Sequence, residues 1–127
     1  MALQALYLSD TCSLPIETAL KNTLTDNLSP AVRDFCAHLV RGVQEKQKQI
    51  DPILSQCAQN WDLGRMAVID RNILRLSTFE ILNDLETPVS VIINEAIEIA
   101  KAYSTEDSGK FVNGILDKIK LERKPPA

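Results

Sequence analysis

The sequence holds few side chains of the kinds that catalyse reactions or bind metals. Its one histidine, His38, lies beside an apolar stripe at helical spacing and is expected to be a structural or surface imidazole. No phosphate-binding loop, dinucleotide-binding glycine motif, nucleophile elbow or zincin motif occurs in it. We therefore expect no catalytic residues, no metal site and no cofactor, and we predict that the protein is not an enzyme.

The three cysteines do not form a pattern typical of disulfide frameworks or metal sites. Cys12, Cys36 and Cys57 are odd in number and more than twenty residues apart, so we expect reduced, buried thiols. The sequence also lacks the roughly 20 consecutive apolar residues of a membrane span and the basic start of a secretory signal. These features predict a cytoplasmic protein with no membrane partner.

Charge is distributed unevenly along the chain. The formal net charge is −3, which disfavours nucleic-acid binding by bulk electrostatics, because phosphate contacts depend mainly on lysine and arginine. From residue 110 onwards, however, five basic residues stand against two acidic ones. Any anion-binding surface is therefore expected to include the last helix.

The composition and the spacing of apolar residues predict an all-α fold. Only 5% of the 127 residues are aromatic and only four are glycine, whereas 45% are hydrophobic. No linker or internal repeat divides the chain, so we predict one domain over residues 1–127. Apolar residues recur at helical spacing in seven segments, at 1–8, 14–24, 29–43, 53–61, 70–84, 90–103 and 105–119.

Local residue patterns predict where these helices begin and what they bury. Ser29 and Asp51 are each followed by proline, and this combination of a cap and a first-turn proline predicts a helix start at each. The fifth segment is apolar on more than one face and is predicted to be the central helix. Phe35 and Tyr103 fall in stripes that we expect to be buried, and Gly114 is expected to let two helices approach closely.

Five stretches of the sequence resemble the NusB family. The most specific are IINEAIEIAK at residues 92–101 and EDSGKFVNGILDK at residues 106–118. The resemblance extends to DRNILRL at 70–76 and TPV at 87–89, and more weakly to ALQALY at 2–7. It covers the second half of the chain well and the first half loosely.

The resemblance implies a fold and a function. The fold is a NusB-like bundle of two packed three-helix subdomains, at residues 1–64 and 65–122, followed by a tail at 123–127. The implied function is transcription antitermination, in which the protein joins ribosomal protein NusE to bind the single-stranded boxA element of ribosomal-operon RNA. The complex helps RNA polymerase to read through terminators.

The resemblance also assigns binding residues. The family's RNA contacts correspond here to Gln4, Tyr7, Asp107, Lys110 and Phe111. From its own chemistry, Lys110 can pair with a phosphate, or it can be an exposed solubilising charge. Phe111 can stack on an unpaired base, but its register with the apolar stripe favours a core role, and Asp107 is also ordinary first-turn capping chemistry.

The partner surface implied for NusE includes Tyr7, Asp70 and Arg75, with Glu80 added because it is adjacent on the helix. Without the resemblance, Asp70 and Arg75 are equally typical of a solvated helix face, and Tyr7 of a residue that covers the core.

Two alternative functions remain open from the sequence. Members of the family place a run of arginines before the ALQALY segment, and the sequence has none there. The first alternative is therefore a NusB-fold interaction protein or homodimeric scaffold that has lost RNA binding. The second is a relative of the NusB-like domains that are fused to ribosomal RNA cytosine methyltransferases.

Overall fold

The computed structural model describes residues 16–23, 29–58 and 63–123, which form five α-helices and no strand. This confirms the all-α class; the helix predicted at residues 1–8 lies outside the described residues. Short 3-10 turns occupy Leu63–Arg65 and Lys120–Glu122. The helices are α1 at Ile16–Thr23, α2 at Pro30–Cys57, α3 at Val68–Asn83, α4 at Val89–Tyr103 and α5 at Glu106–Ile119.

Helix α2 begins where the sequence predicts, but its buried face is narrower than predicted. The Ser29 hydroxyl accepts the backbone N–H of Val32 at 3.2 Å and caps the helix. The expectation that Phe35 is buried is wrong, because its side chain is 61% exposed. Cys36 and Val40 lie in the buried stripe, and Phe35 is about 100° around the helix from Cys36, at the edge of that stripe.

The prediction of a second helix start at Asp51 is also wrong, since α2 continues through Pro52 to residue 57. Instead of capping a helix, the Asp51 carboxylate accepts two hydrogen bonds from Arg75 on α3, at 2.9 and 3.0 Å. Ile50 and Leu54, on either side of the proline, are fully buried. Tertiary packing therefore outweighs the roughly 3 kcal/mol that a proline costs inside a helix.

Helix α3 is the centre of the described structure, as predicted. It packs against α2, α4 and α5, and buried residues occur around most of its circumference. Leu74 and Ile81 of this helix are fully buried, as are Leu116 and Ile119 of α5. Because α3 has neighbours on several sides, it positions residues on all the surrounding helices. The subdomain boundary between residues 64 and 65 stays a prediction.

Helices α4 and α5 are joined by only two residues and approach each other closely at Gly109. A Cβ at this buried glycine would lie 3.2 Å from Lys101 Cγ and 3.6 Å from Ile97 Cγ2. The expectation that Gly114 permits the close approach is wrong, since that residue is exposed and a Cβ there would meet nothing within 4 Å. Tyr103 is 61% exposed rather than buried, because it follows the last buried residue of α4, Ala100, and ends the helix.

Candidate RNA and partner interface

The start of α5 brings together the three residues there that the resemblance assigns to RNA. Thr105 caps the helix by accepting the backbone N–H of Ser108 at 3.1 Å. Asp107 is exposed in the first turn, where a negative charge is favoured by the helix dipole. Lys110 is exposed one turn further on, and Phe111 follows it directly.

Phe111 serves the core and the surface at once. Its side chain is half-buried and packs against the hydrophobic core, which its register with Val112 and Ile115 predicts. The burial is partial, so Phe111 keeps some accessible surface, and it follows the exposed Lys110 directly in the chain. A partly exposed aromatic ring next to an exposed ammonium group can contact a base and its phosphate together.

Lys110 stands out because other basic residues near the end of the chain make contacts within the protein. Lys118 donates to the Cys57 carbonyl at 3.2 Å, and Lys120 lies 3.6 Å from an Asp117 carboxylate oxygen. Arg123 donates to two backbone carbonyls of the loop that joins α3 to α4. Among the described residues of this terminal segment, Lys110 is the exposed cation that remains available for an anion.

Asp70, assigned by the resemblance to the partner surface, is buried with only 7% of its surface exposed. Its Oδ2 accepts a hydrogen bond from the Ser108 hydroxyl at 3.2 Å, which ties the start of α3 to the first turn of α5. Burial raises the pKa of Asp70, and the Ser108 hydrogen bond opposes this less strongly. The resemblance did not identify Ser108 as a functional residue. The sequence feature that could have done so is the group of hydroxyl residues Ser104, Thr105 and Ser108 at the start of α5.

Arg75, also assigned to the partner surface, forms a two-pronged ion pair with Asp51. The Arg75 side chain is 11% exposed and that of Asp51 is 26% exposed, so the pair is largely shielded from water. Two parallel N–H···O contacts fix the guanidinium plane against α2. Arg75 thus joins α2 to α3 in the isolated chain.

Glu80 lies half-buried in a pocket between α3 and α4 that is lined mainly by apolar side chains. Burial raises the pKa of Glu80, and the carboxylates of Asp84 and Glu95 raise it further. The carboxylate is therefore held in a setting that favours its protonated form more than water does. Asp70, Arg75 and Glu80 lie along one helix but differ in surroundings.

Two further assigned residues, Gln4 and Tyr7, lie outside the described residues. Within the described ranges no group of three or more histidine, cysteine, aspartate or glutamate side chains could hold a metal ion. His38 is exposed, and its ring lies edge-on to Phe79 with centroids 6.4 Å apart. Cys36 is buried and Cys57 is half-buried, and both are free thiols. No described helix has the length and apolar character needed to cross a membrane.

A sequence model of the NusB family matches residues 1–120. The chain belongs to the NusB family. It is 46% identical to the transcription antitermination protein NusB of Elusimicrobium minutum over 126 residues, which cover 97% of this chain and 90% of that protein.

Solved NusB structures have the same fold. The structure of Thermotoga maritima NusB has a TM-score of 0.91 and 40% identity, and the match covers 98% of this chain and 88% of that one. A crystal structure of the antitermination factors NusB and NusE in complex with dsRNA matches with a TM-score of 0.87, covering 95% of this chain and 91% of the other. Its identity is 23%, so this second likeness shows the shared fold alone.

Proposed function

We propose that this chain is a transcription antitermination factor that binds RNA together with ribosomal protein NusE. The observation that carries the proposal is the start of α5, where the exposed Lys110 is followed directly by the half-buried Phe111. Family membership supports it, as does the NusB fold seen in a complex with NusE and dsRNA. The proposed RNA is the single-stranded boxA element of ribosomal operons, read during transcription in the cytoplasm.

The proposed RNA surface is Asp107, Lys110 and Phe111, joined by Gln4 and Tyr7. The three residues of α5 contribute different chemistry, because Lys110 pairs with a phosphate, Phe111 stacks on an unpaired base, and Asp107 accepts a donor from a base edge. The proposed partner surface is Tyr7 with the α3 residues Arg75 and Glu80. The resemblance also assigns Asp70 to this surface, but that side chain is buried and bonded to Ser108.

Charge predicts that the chain alone binds RNA weakly. Single-stranded RNA binding weakens with salt by a slope of about 0.7 per phosphate neutralised, so a surface with few exposed lysines gains little affinity. The net charge of −3 opposes approach of a polyanion. We therefore propose that NusE supplies most of the phosphate contacts and that the RNA polymerase antitermination complex holds both proteins.

The test is fluorescence anisotropy with boxA RNA and a scrambled RNA, with and without NusE, over a range of salt concentrations. We expect boxA-selective binding with NusE present and weak binding without it. Lys110→Ala should weaken the ternary complex several-fold and lower the salt slope by about 0.7, because one phosphate contact is lost. Lys120→Ala is the matched control, since it removes the same charge from the far end of α5, where the ammonium lies near Asp117.

Phe111 is tested with leucine rather than alanine, so that its buried part is still filled. Loss of one stacked base costs about 1 to 3 kcal/mol, so Phe111→Leu should weaken boxA binding at least fivefold without a matching loss of stability. Equal binding of boxA and scrambled RNA with NusE would contradict the proposal. A stable dimer by light scattering, unaffected by boxA, would favour the scaffold alternative.

A further inference from the structure

Four polar side chains form one hydrogen-bonded cluster where α5 meets α3. The Ser108 hydroxyl lies 2.8 Å from the Ser104 hydroxyl and 3.3 Å from that of Thr105. It also lies 3.2 Å from Oδ2 of Asp70, a residue 38 positions earlier in the chain. The contacts with Ser104 and Thr105 are local to the start of α5, whereas the contact with Asp70 reaches the neighbouring helix.

The hydrogen bonds of Ser108 can be fully accounted for. A serine hydroxyl donates one hydrogen bond and accepts up to two. With Asp70 ionised, the Ser108 proton must point to the carboxylate, so Ser104 and Thr105 both donate to Ser108. The donor and both acceptor positions of Ser108 are then filled, which fixes the rotation of its side chain.

Asp70 is poorly placed to contact a binding partner itself. Its side chain is more than nine-tenths buried, and its Oδ1 has no hydrogen-bond partner among the described residues. A buried carboxylate with one unfilled oxygen costs free energy, so its presence in the core calls for a compensating role. The hydrogen bond to Ser108 is the contact through which Asp70 reaches the proposed RNA surface.

We infer that Ser108 and Asp70 are positioning residues, which lock the first turn of α5 against α3 and so fix Lys110 and Phe111 for RNA. This inference rests on the proposed function. Thr105 holds the turn from within α5, but a cap cannot set the orientation of the whole helix relative to α3. Apolar packing of the later turns holds α5 against α3, and the Asp70 contact adds a direct link at the first turn, while the close approach of α4 at Gly109 limits movement there.

The affinity test compares Ser108→Ala, Asp70→Ala and the double variant in boxA binding with NusE. Each single variant should weaken binding about 3- to 10-fold, the range expected for one hydrogen bond, and the double variant should be no worse than either. The salt slope should stay unchanged, because no phosphate contact is removed. Ser90→Ala, at an exposed serine on α4, is the control.

Asp70→Asn separates geometry from charge. The asparagine carbonyl can still accept the Ser108 hydrogen bond, so this variant should bind within about twofold of the wild type. If Asp70→Asn binds as poorly as Asp70→Ala, the carboxylate charge itself is required and the positioning role is overturned. Additive effects of Ser108→Ala and Asp70→Ala would overturn it equally.

Amide hydrogen exchange tests the inference without RNA. Ser108→Ala and Asp70→Ala should speed exchange at residues 109–111 about 3- to 10-fold while leaving α2 unchanged. If the wild type binds no boxA but this exchange response is seen, the proposed function fails while the structural link stands. Unchanged exchange at residues 109–111 in both variants would overturn the link itself.

Discussion

Replacing Gly42 with alanine is expected to destabilise the protein, although alanine is the better helix former. Gly42 lies where α2 passes the ring of Phe79 on α3. A Cβ at this position would be 2.7 Å from Cε2 and 2.9 Å from Cε1 of the ring and would overlap its Cζ. Phe79 is buried and its ring meets that of His38 edge-to-face, but an open pocket lined by Gly42, Phe79 and Asn83 borders the ring on one side, so the ring can shift only in that direction.

Whether Gly42→Ala destabilises the protein depends on two opposing contributions to the free energy of unfolding. Alanine in place of glycine favours a helix interior by about 1 kcal/mol. Overpacking of a filled core costs about 1 to 3 kcal/mol, because side chains leave their preferred rotamers and the backbone shifts. The contacts with three ring atoms force a shift, and the pocket beside the ring gives it some room, so the middle of that range applies and Gly42→Ala should lose about 1 kcal/mol net.

Gly114→Ala is the matched control, and urea unfolding is the assay. Gly114 is also inside a helix, but it is exposed and a Cβ there has no neighbour within 4 Å, so we expect a gain of about 0.5 to 1 kcal/mol. Combining Gly42→Ala with Phe79→Leu should cost less than the sum of the two single changes. The reasoning is refuted if Gly42→Ala stabilises the protein as much as Gly114→Ala does.

Two further predictions concern carboxylates. Asp51→Ala should cost about 2 kcal/mol in urea unfolding, because it breaks a largely shielded pair with Arg75. Glu17→Ala removes the same two-pronged geometry from the exposed pair with Arg41 and should change little; equal losses would show that burial is not the deciding factor. Glu80→Gln should raise the thermal midpoint at pH 7 and leave it unchanged near pH 4. In the folded protein the pKa of Glu80 is raised above the ordinary 4.5. Ionisation of this carboxyl therefore costs folding free energy, and the cost grows as the pH rises above 4.5. A gain that persists at pH 4 would contradict this.

Features set by neighbouring residues in the chain could be predicted from the sequence. The Ser29 cap depends on a side chain and the backbone three residues further on, and it occurs as predicted. The central position of α3 was predicted because a helix with apolar residues on several faces is stable only when other helices surround it. The cap at Ser29 thus placed the start of α2, and the apolar pattern placed α3 at the centre.

Features set by contacts between distant residues could not be predicted from these patterns. The pattern at Asp51 and Pro52 is identical in kind to that at residues 29 and 30, yet a partner 24 residues away, Arg75, occupies the carboxylate. Likewise, the resemblance assigned Asp70 to the partner surface and its residue type alone suggested a solvated helix face, but Asp70 is buried and bonded to Ser108 of α5. Tyr103 is the opposite case, because it was expected to be buried but is exposed. The spacing of apolar residues does not show where a helix extends past the hydrophobic core.

The difference between local sequence patterns and contacts between distant residues also affects the proposed function. Counting charges along the sequence suggests a basic last helix, whereas the structure uses Lys118, Lys120 and Arg123 for contacts within the protein. Among the described residues around the start of α5 the exposed lysines are Lys110 and Lys101, so the chain gains little from counterion release and its selectivity for RNA must come from geometry and from a second protein. Binding should therefore depend most on how the first turn of α5 is positioned. For this reason Ser108, a buried serine that touches no RNA, is expected to affect binding as much as Lys110.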